Sequence, residues 1–191
     1  MPKIKGGFMK KFLFGSFLSI YHMVPKIVKS IDRLVFLRST NSSYFCGAEA
    51  GDTELQANKI LSLTEKKVGF INLKLLTEEV LCEMQKDNAK LLVSRYIDMM
   101  APKKIMQMLD LKRRTYFRHI KNAIAEFDSK ITNKIAKNKS LYASLFKEEF
   151  MQDILSRVAI VENKIDYDNV DIENLSNCIC NLVLSKIKRA C

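Results

Sequence analysis

Residues 87–127 read DNAKLLVSRYIDMMAPKKIMQMLDLKRRTYFRHIKNAIAEF, and the apolar spacing inside this stretch decides the fold. Ala89, Leu92, Val93, Tyr96 and Ile97 fall at i, i+3, i+4, i+7 and i+8, one face of a helix that Asp87 or Asn88 can cap. Lys90, Ser94 and Arg95 are then assigned to its solvent face. Pro102 follows where proline is accepted, in the first turn of a second helix whose apolar side is Ile105, Met106 and Leu109. Asp110, Leu111 and Lys112 allow a tight turn. A third helix is predicted from Arg113, with Tyr116, Ile120, Ala123, Ile124 and Phe127 along one stripe that Ile131 and Ile135 can prolong.

Two short helices fixed by a turn over residues 101–127 match the plan of a helix-turn-helix, in which the second helix presents one face outward while the other packs on the core. With Tyr116, Ile120, Ala123 and Phe127 inward, helical rotation sends Arg113, Arg114, Phe117, Arg118 and Lys121 outward. The chain has 32 Lys and Arg against 21 Asp and Glu, a net charge of +11 that favours an anionic partner. Residues 101–139 hold eleven cations against three acids, so most of the excess sits in about a fifth of the length.

That distribution points to nucleic acid. An arginine can donate two hydrogen bonds to the guanine edge in the major groove, a contact worth about 1–3 kcal/mol of base discrimination. Arg113, Arg114 and Arg118 are assigned this role, Phe117 is placed either against a thymine methyl group or against a neighbouring helix, and Lys103, Lys104, Lys112 and Lys121 are assigned to phosphates.

The stretches Leu91 to Ile97, Ala101 to Leu111 and Lys112 to Ile124 together resemble region 4 of sigma-70-type factors and related bacterial and phage regulators. The resemblance covers about 40 residues and departs from the family pattern at Met106, where alanine is usual, and at Asp110, where the turn usually has glycine. Asp is among the residue types least penalised at positive φ, so the turn can form. The resemblance implies that the helix before the pair buttresses it, that the pair binds double-stranded DNA in transcription regulation, and that RNA polymerase is a candidate partner. No upstream segment reads as the family's region 2.

Outside this centre the chain reads as helical scaffold. Nearly half of it is hydrophobic (48%), with only six Gly and three Pro, which favours long helices over a many-stranded sheet and gives an all-α, multi-helix expectation. Three regions follow: an N-terminal helical region (1–85), the helix-turn-helix domain (86–138) and a C-terminal helical region (139–191). In the first, residues 8–38 form one or two helices about Pro25, and Ser39 to Ser43, continuing through Gly47 and Gly51, read as the clearest loop. Asp52 can cap a short helix carrying Leu55, Ile60 and Leu61, and a separate helix carries Val68, Ile71, Leu75, Leu76, Val80 and Met84. In the last region, Ser140 can cap a helix with Leu141, Leu145, Met151, Ile154, Leu155 and Val158. Ile172, Leu175, Ile179, Leu182 and Ile187 mark a final helix whose spacing suits a partner helix, so a homodimer through the terminal regions is one expectation.

Several chemistries find no support in the residues. Five cysteines (Cys46, Cys82, Cys178, Cys180, Cys191) form no disulfide framework and no zinc spacing, which fits reduced thiols in a cytoplasmic setting without a metal. His22 and His119 have no catalytic companions in sequence, and no phosphate loop or nucleophile elbow is present, so neither enzyme activity nor a cofactor is expected. Lys10 and Lys11 before Phe12 to Ile20 resemble a secretion signal, but no small-residue cleavage site follows, Pro25 and Lys26 interrupt the run, and it is too short to span a bilayer. Two rival readings stay open. One is a helical interaction module binding an acidic protein or RNA partner, and the other is a membrane-surface protein anchored by Phe8 to Val24.

Overall fold

The computed structural model describes residues 13–44, 50–138, 153–158 and positions 180, 181, 183–185 and 187. Among these no strand occurs, and the protein is an all-α, multi-helix fold. The helices are α1 (Leu13–Tyr21), α2 (Val24–Tyr44), α3 (Ala50–Glu83), α4 (Lys86–Leu92), α5 (Pro102–Met108) and α6 (Arg113–Lys137). A π-helical turn (Val93–Ile97) continues α4 without a break. Residues 153–158 are also helical.

Pro25 sits in the first turn of α2, where its missing N–H is no loss. The turn before it is closed by Met23 N donating to the Ile20 carbonyl at 2.8 Å. The loop expected from Ser39 is instead the last turns of α2. Ser39 and Thr40 hydroxyls donate back to the Phe36 carbonyl at 2.8 and 3.0 Å, so these polar side chains are absorbed by the helix they are predicted to end. Of that loop only 45–49 lie outside the described residues.

The two helices expected between Asp52 and Met84 are one helix of 34 residues, about 51 Å long at 1.5 Å per residue. No proline interrupts it, and Gly69 is buried within its packed face. That face consists of Leu63, Phe70, Leu73, Leu76 and Val80, while Val68, Ile71 and Leu75 point to solvent. The apolar set read from the sequence therefore mixes two sides of α3. It packs on α2 and α1, where the Tyr21 hydroxyl donates to Glu78 at 2.6 Å and Lys67 Nζ donates to Asp32 at 2.6 Å. Burial and the neighbouring Glu78 carboxylate push the Tyr21 phenol up to about 12.

One core gathers residues from all three regions of the sequence: Phe17, Ile20 and Ile27, then Phe70 and Val80, then Leu92, Ile105, Tyr116 and Phe127, and finally Ile154, Val158, Val183 and Ile187. Of the apolar run that a membrane-surface anchor would need, Phe17, Leu18, Ile20, Met23 and Val24 are buried in this core. The first residues of that run, 8–12, and the capping residue Ser140 lie outside the described residues. Among the described residues no helix is long and apolar enough to cross a membrane, and no group of His, Cys, Asp and Glu could hold a metal ion.

α6 is the strut that ties these layers. Near its end Lys134 bridges two carboxylates of α3, Glu79 and Glu83, the latter at 2.8 Å. Midway, Glu126 reaches the start of α4: its carboxylate accepts from Gln85 N at 2.9 Å and from Asn88 Nδ2 at 2.6 Å. The cap of α4 thus comes from another helix and not from Asp87 or Asn88, and Gln85 occupies the N-cap position. Burial alone would raise the Glu126 pKa, but the two hydrogen bonds and nearby Lys130 outweigh it and hold the carboxyl below its usual range. Glu126→Gln is expected to cost about 1–2 kcal/mol at pH 7 by thermal or urea unfolding. A depressed folded-state pKa means this contribution is present above the ordinary carboxylate range and is lost as pH falls through the folded value, so the two proteins should converge on acidification.

Two residues further on, Asp128 carries the opposite load. Its Oδ1 is buried with no hydrogen-bond partner among the described residues, and burial raises its carboxyl to about 6. Because the folded pKa is raised, the cost of the charge is absent below the unfolded value near 3.8 and complete above about 6. Asp128→Asn should therefore melt higher than the parent at pH 7.5, with the gap closing between pH 6 and 4.

Candidate nucleic-acid interface

The segment read as a helix-turn-helix consists of an irregular approach, a short helix, α5, a turn and a long helix, α6. The approach is the π turn, in which Asp98 N donates to the Val93 carbonyl five residues back at 2.9 Å. Met99 then turns the chain with φ 53°, and Met100 N closes on the Ser94 carbonyl at 2.9 Å. The residue added by the π turn rotates the helix surface, so Ser94 and Arg95 are buried and not on the solvent face predicted for them. Arg95 Nη1 donates to the Met100 carbonyl at 3.3 Å, and its charge is felt by Tyr116, whose phenol pKa is raised chiefly by burial. A buried arginine thus braces the segment leading into the pair.

α5 begins with Pro102 in its first turn and buries Ile105, with Met106 and Leu109 half-buried against the core. It ends at Asp110, whose φ is 48°. Asp110 N donates to Gln107 O at 3.4 Å and Leu111 N to Met106 O at 2.9 Å, the paired bonds of a helix closed by a left-handed residue. The turn that usually demands glycine therefore forms around Asp110 as the sequence reading required. Asp110→Gly is expected to stabilise the protein by about 0.5 kcal/mol or more, read as a higher urea midpoint with an unchanged slope.

α6 buries Tyr116, Ala123, Phe127 and Ile131, with Ile120, Ile124 and Ile135 half-buried beside them. All eight residues assigned to the site, Lys103, Lys104, Lys112, Arg113, Arg114, Phe117, Arg118 and Lys121, are exposed. Phe117 is 39% exposed and stays on the surface, with its ring edge-on to Tyr116 at 5.2 Å and the Arg113 guanidinium 5.9 Å from its centroid. Among the described residues, Lys103, Lys104, Lys112, Arg114, Arg118 and Lys121 make no ion pair with a carboxylate, whereas Lys67, Lys74, Lys130 and Lys134 elsewhere do.

The placement of these cations is electrostatically unfavourable within the chain. Neither α5 nor α6 has a side-chain cap, and neither has an acid in its first turn. Instead Lys103 and Lys104 follow Pro102, and Lys112, Arg113 and Arg114 open α6. Each cation placed at the positive end of a helix dipole costs about 0.3–1 kcal/mol at low ionic strength. Two uncapped helix starts, each flanked by lysine or arginine, together present amide N–H groups and positive charge to the same kind of ligand, an anion.

No protein-family model, no curated protein and no solved structure matches the chain. Sequence reasoning passed over Asn122, which is exposed and lies four residues beyond Arg118 on the row Arg114, Arg118, Asn122. The spacing of four is visible in the sequence, but Asn122 carries no charge and so does not stand out among the cations.

Proposed function

We propose that residues 86–138 bind double-stranded DNA through the helix-turn-helix, with α6 entering the major groove from Arg113 onward, in transcription regulation of the sigma-region-4 kind. Supporting this reading above all is the concentration of cations at the uncapped starts of α5 and α6, where Lys103, Lys104, Lys112 and Arg114 make no ion pair with a carboxylate among the described residues, a charge arrangement that costs stability until a polyanion relieves it. The outward row of Arg114, Arg118 and Asn122 consists of the side chains that pair with guanine and adenine edges, while Lys103, Lys104 and Lys112 suit phosphates. The buttress formed by α4 and the π turn, pinned by Glu126 and Arg95, would hold this surface in one orientation.

Selection of bound fragments from a random duplex pool tests the proposal directly. The expected result is enrichment of a defined motif. Recovery of unrelated sequences in proportion to length, or equal retention of single-stranded RNA and an acidic protein, would instead assign the surface to charge-driven docking, since every basic interface weakens with salt and salt alone does not separate the two.

A further inference from the structure

The outer side of α3 carries apolar residues that no core position explains. Leu61, Val68 and Leu75 are 57%, 48% and 56% exposed, and with the exposed Cys82 they recur every seven residues. Ile71, 36% exposed, adds the intervening position between Val68 and Leu75. A helix apolar on both sides is one that expects cover on both. Here one side is covered by α1, α2 and α6, and the other presents a straight seam of three heptads, about 32 Å long.

Charge identifies the class of partner. In a chain of net charge +11, α3 holds six acids against four cations, so it is the wrong surface for nucleic acid or an acidic lipid and the one on which two copies meet with only a small like-charge excess. With Leu61, Val68, Leu75 and Cys82 at a, the d positions are Thr64, Ile71 and Glu78. The apolar contact is therefore carried by the a column and Ile71, Glu78 being held by the Tyr21 hydroxyl of α1, and the flanks are asymmetric. Lys67 and Lys74 stand before successive a positions, Glu65 and Glu79 follow the d positions, and both lysines keep about a third of their side-chain surface exposed, at 31% and 36%. In a parallel pair Lys74 of each chain faces Glu79 of its partner, whereas an antiparallel pair sets Lys67 against Lys74. Lys67 already bridges Asp32, Lys74 lies near Glu78 and the Tyr21 ring, and Glu79 is bridged by Lys134, so the interchain pairs extend existing networks.

We infer that α3 is a self-association seam: two copies of the chain pair in parallel along Leu61, Val68, Ile71 and Leu75, which brings the two Cys82 thiols together. The seam is independent of any nucleic acid, so its test is made on the protein alone.

Light scattering on the full chain at tens of micromolar should give twice the 22.0 kDa chain mass. Val68→Lys with Leu75→Lys should return the monomer mass with unchanged helicity, because neither residue is in the core. Oxidation with diamide, which takes two electrons and two protons from a thiol pair, should give a reducible dimer band that Cys82→Ala abolishes. A monomeric parent at that concentration overturns the proposal, as does a dimer that survives the double lysine variant. A dimer without the Cys82 cross-link overturns the parallel register.

Discussion

Replacing Arg114 and Arg118 together with alanine is expected to remove most of the protein's discrimination between its preferred duplex and a scrambled one while leaving helicity and melting temperature unchanged. Both side chains are exposed one turn apart on α6 and neither is bonded to a carboxylate among the described residues, so their removal touches no packing. If each makes a two-bond contact to a guanine edge, the pair contributes about 2–6 kcal/mol of specificity, a fall of about thirtyfold or more in the affinity ratio. Competition titrations at fixed salt read that ratio. The same titrations on Lys103→Ala with Lys104→Ala should show both affinities falling together, and repeating them across a salt series should give a slope shallower by about one for each phosphate no longer neutralised. An intact ratio in the arginine variant would mean that the outward row of α6 does not read bases.

Adjacent residues on α6 should differ severalfold in what their loss costs the fold. Tyr116 is 1% exposed and among the largest fully buried side chains, so Tyr116→Ala should cost about 3–5 kcal/mol, and the melting temperature should fall by roughly 10 °C for a chain of this size. Phe117, the next residue, keeps 39% of its surface in solvent. Its edge contact with Tyr116 and the Arg113 guanidinium over its ring are each worth about 0.5–1 kcal/mol, so Phe117→Ala should cost about 1 kcal/mol. Thermal unfolding of the two variants side by side measures the orientation of α6 without any ligand. Equal losses would mean that the helix is rotated from the position described.

This orientation was legible in the sequence because α6 is regular from end to end, so a period of 3.6 residues places every side chain once Tyr116 and Phe127 are assigned inward. Pro102 and Asp110 were legible for a local reason: each declares a backbone conformation that few residue types accept. Ser94 and Arg95 were misplaced because the π turn inserts a residue into the helical count, and nothing in VSRYI announces it. Ser39 and Thr40 misled because hydroxyl side chains that end helices can also bond backward along them. The cap on α4 was beyond reach of local reading, since Gln85 and Glu126 are 41 residues apart and meet only when α6 packs.

The 25 residues of α6 belong to two environments, an outward basic end and a tail locked between Glu126 and Lys134. A continuous helix is a stiff rod, about 38 Å long here, and it has no hinge at which the two ends could part. Strain applied at Arg113 is therefore passed along the rod to α3 and α4, which hold its other end. If the basic end and the core unfold together, a ligand that grips the first turns of α6 stabilises Phe127 and Ile131 along with the residues it touches, by about 2.7 kcal/mol at a hundred times its dissociation constant.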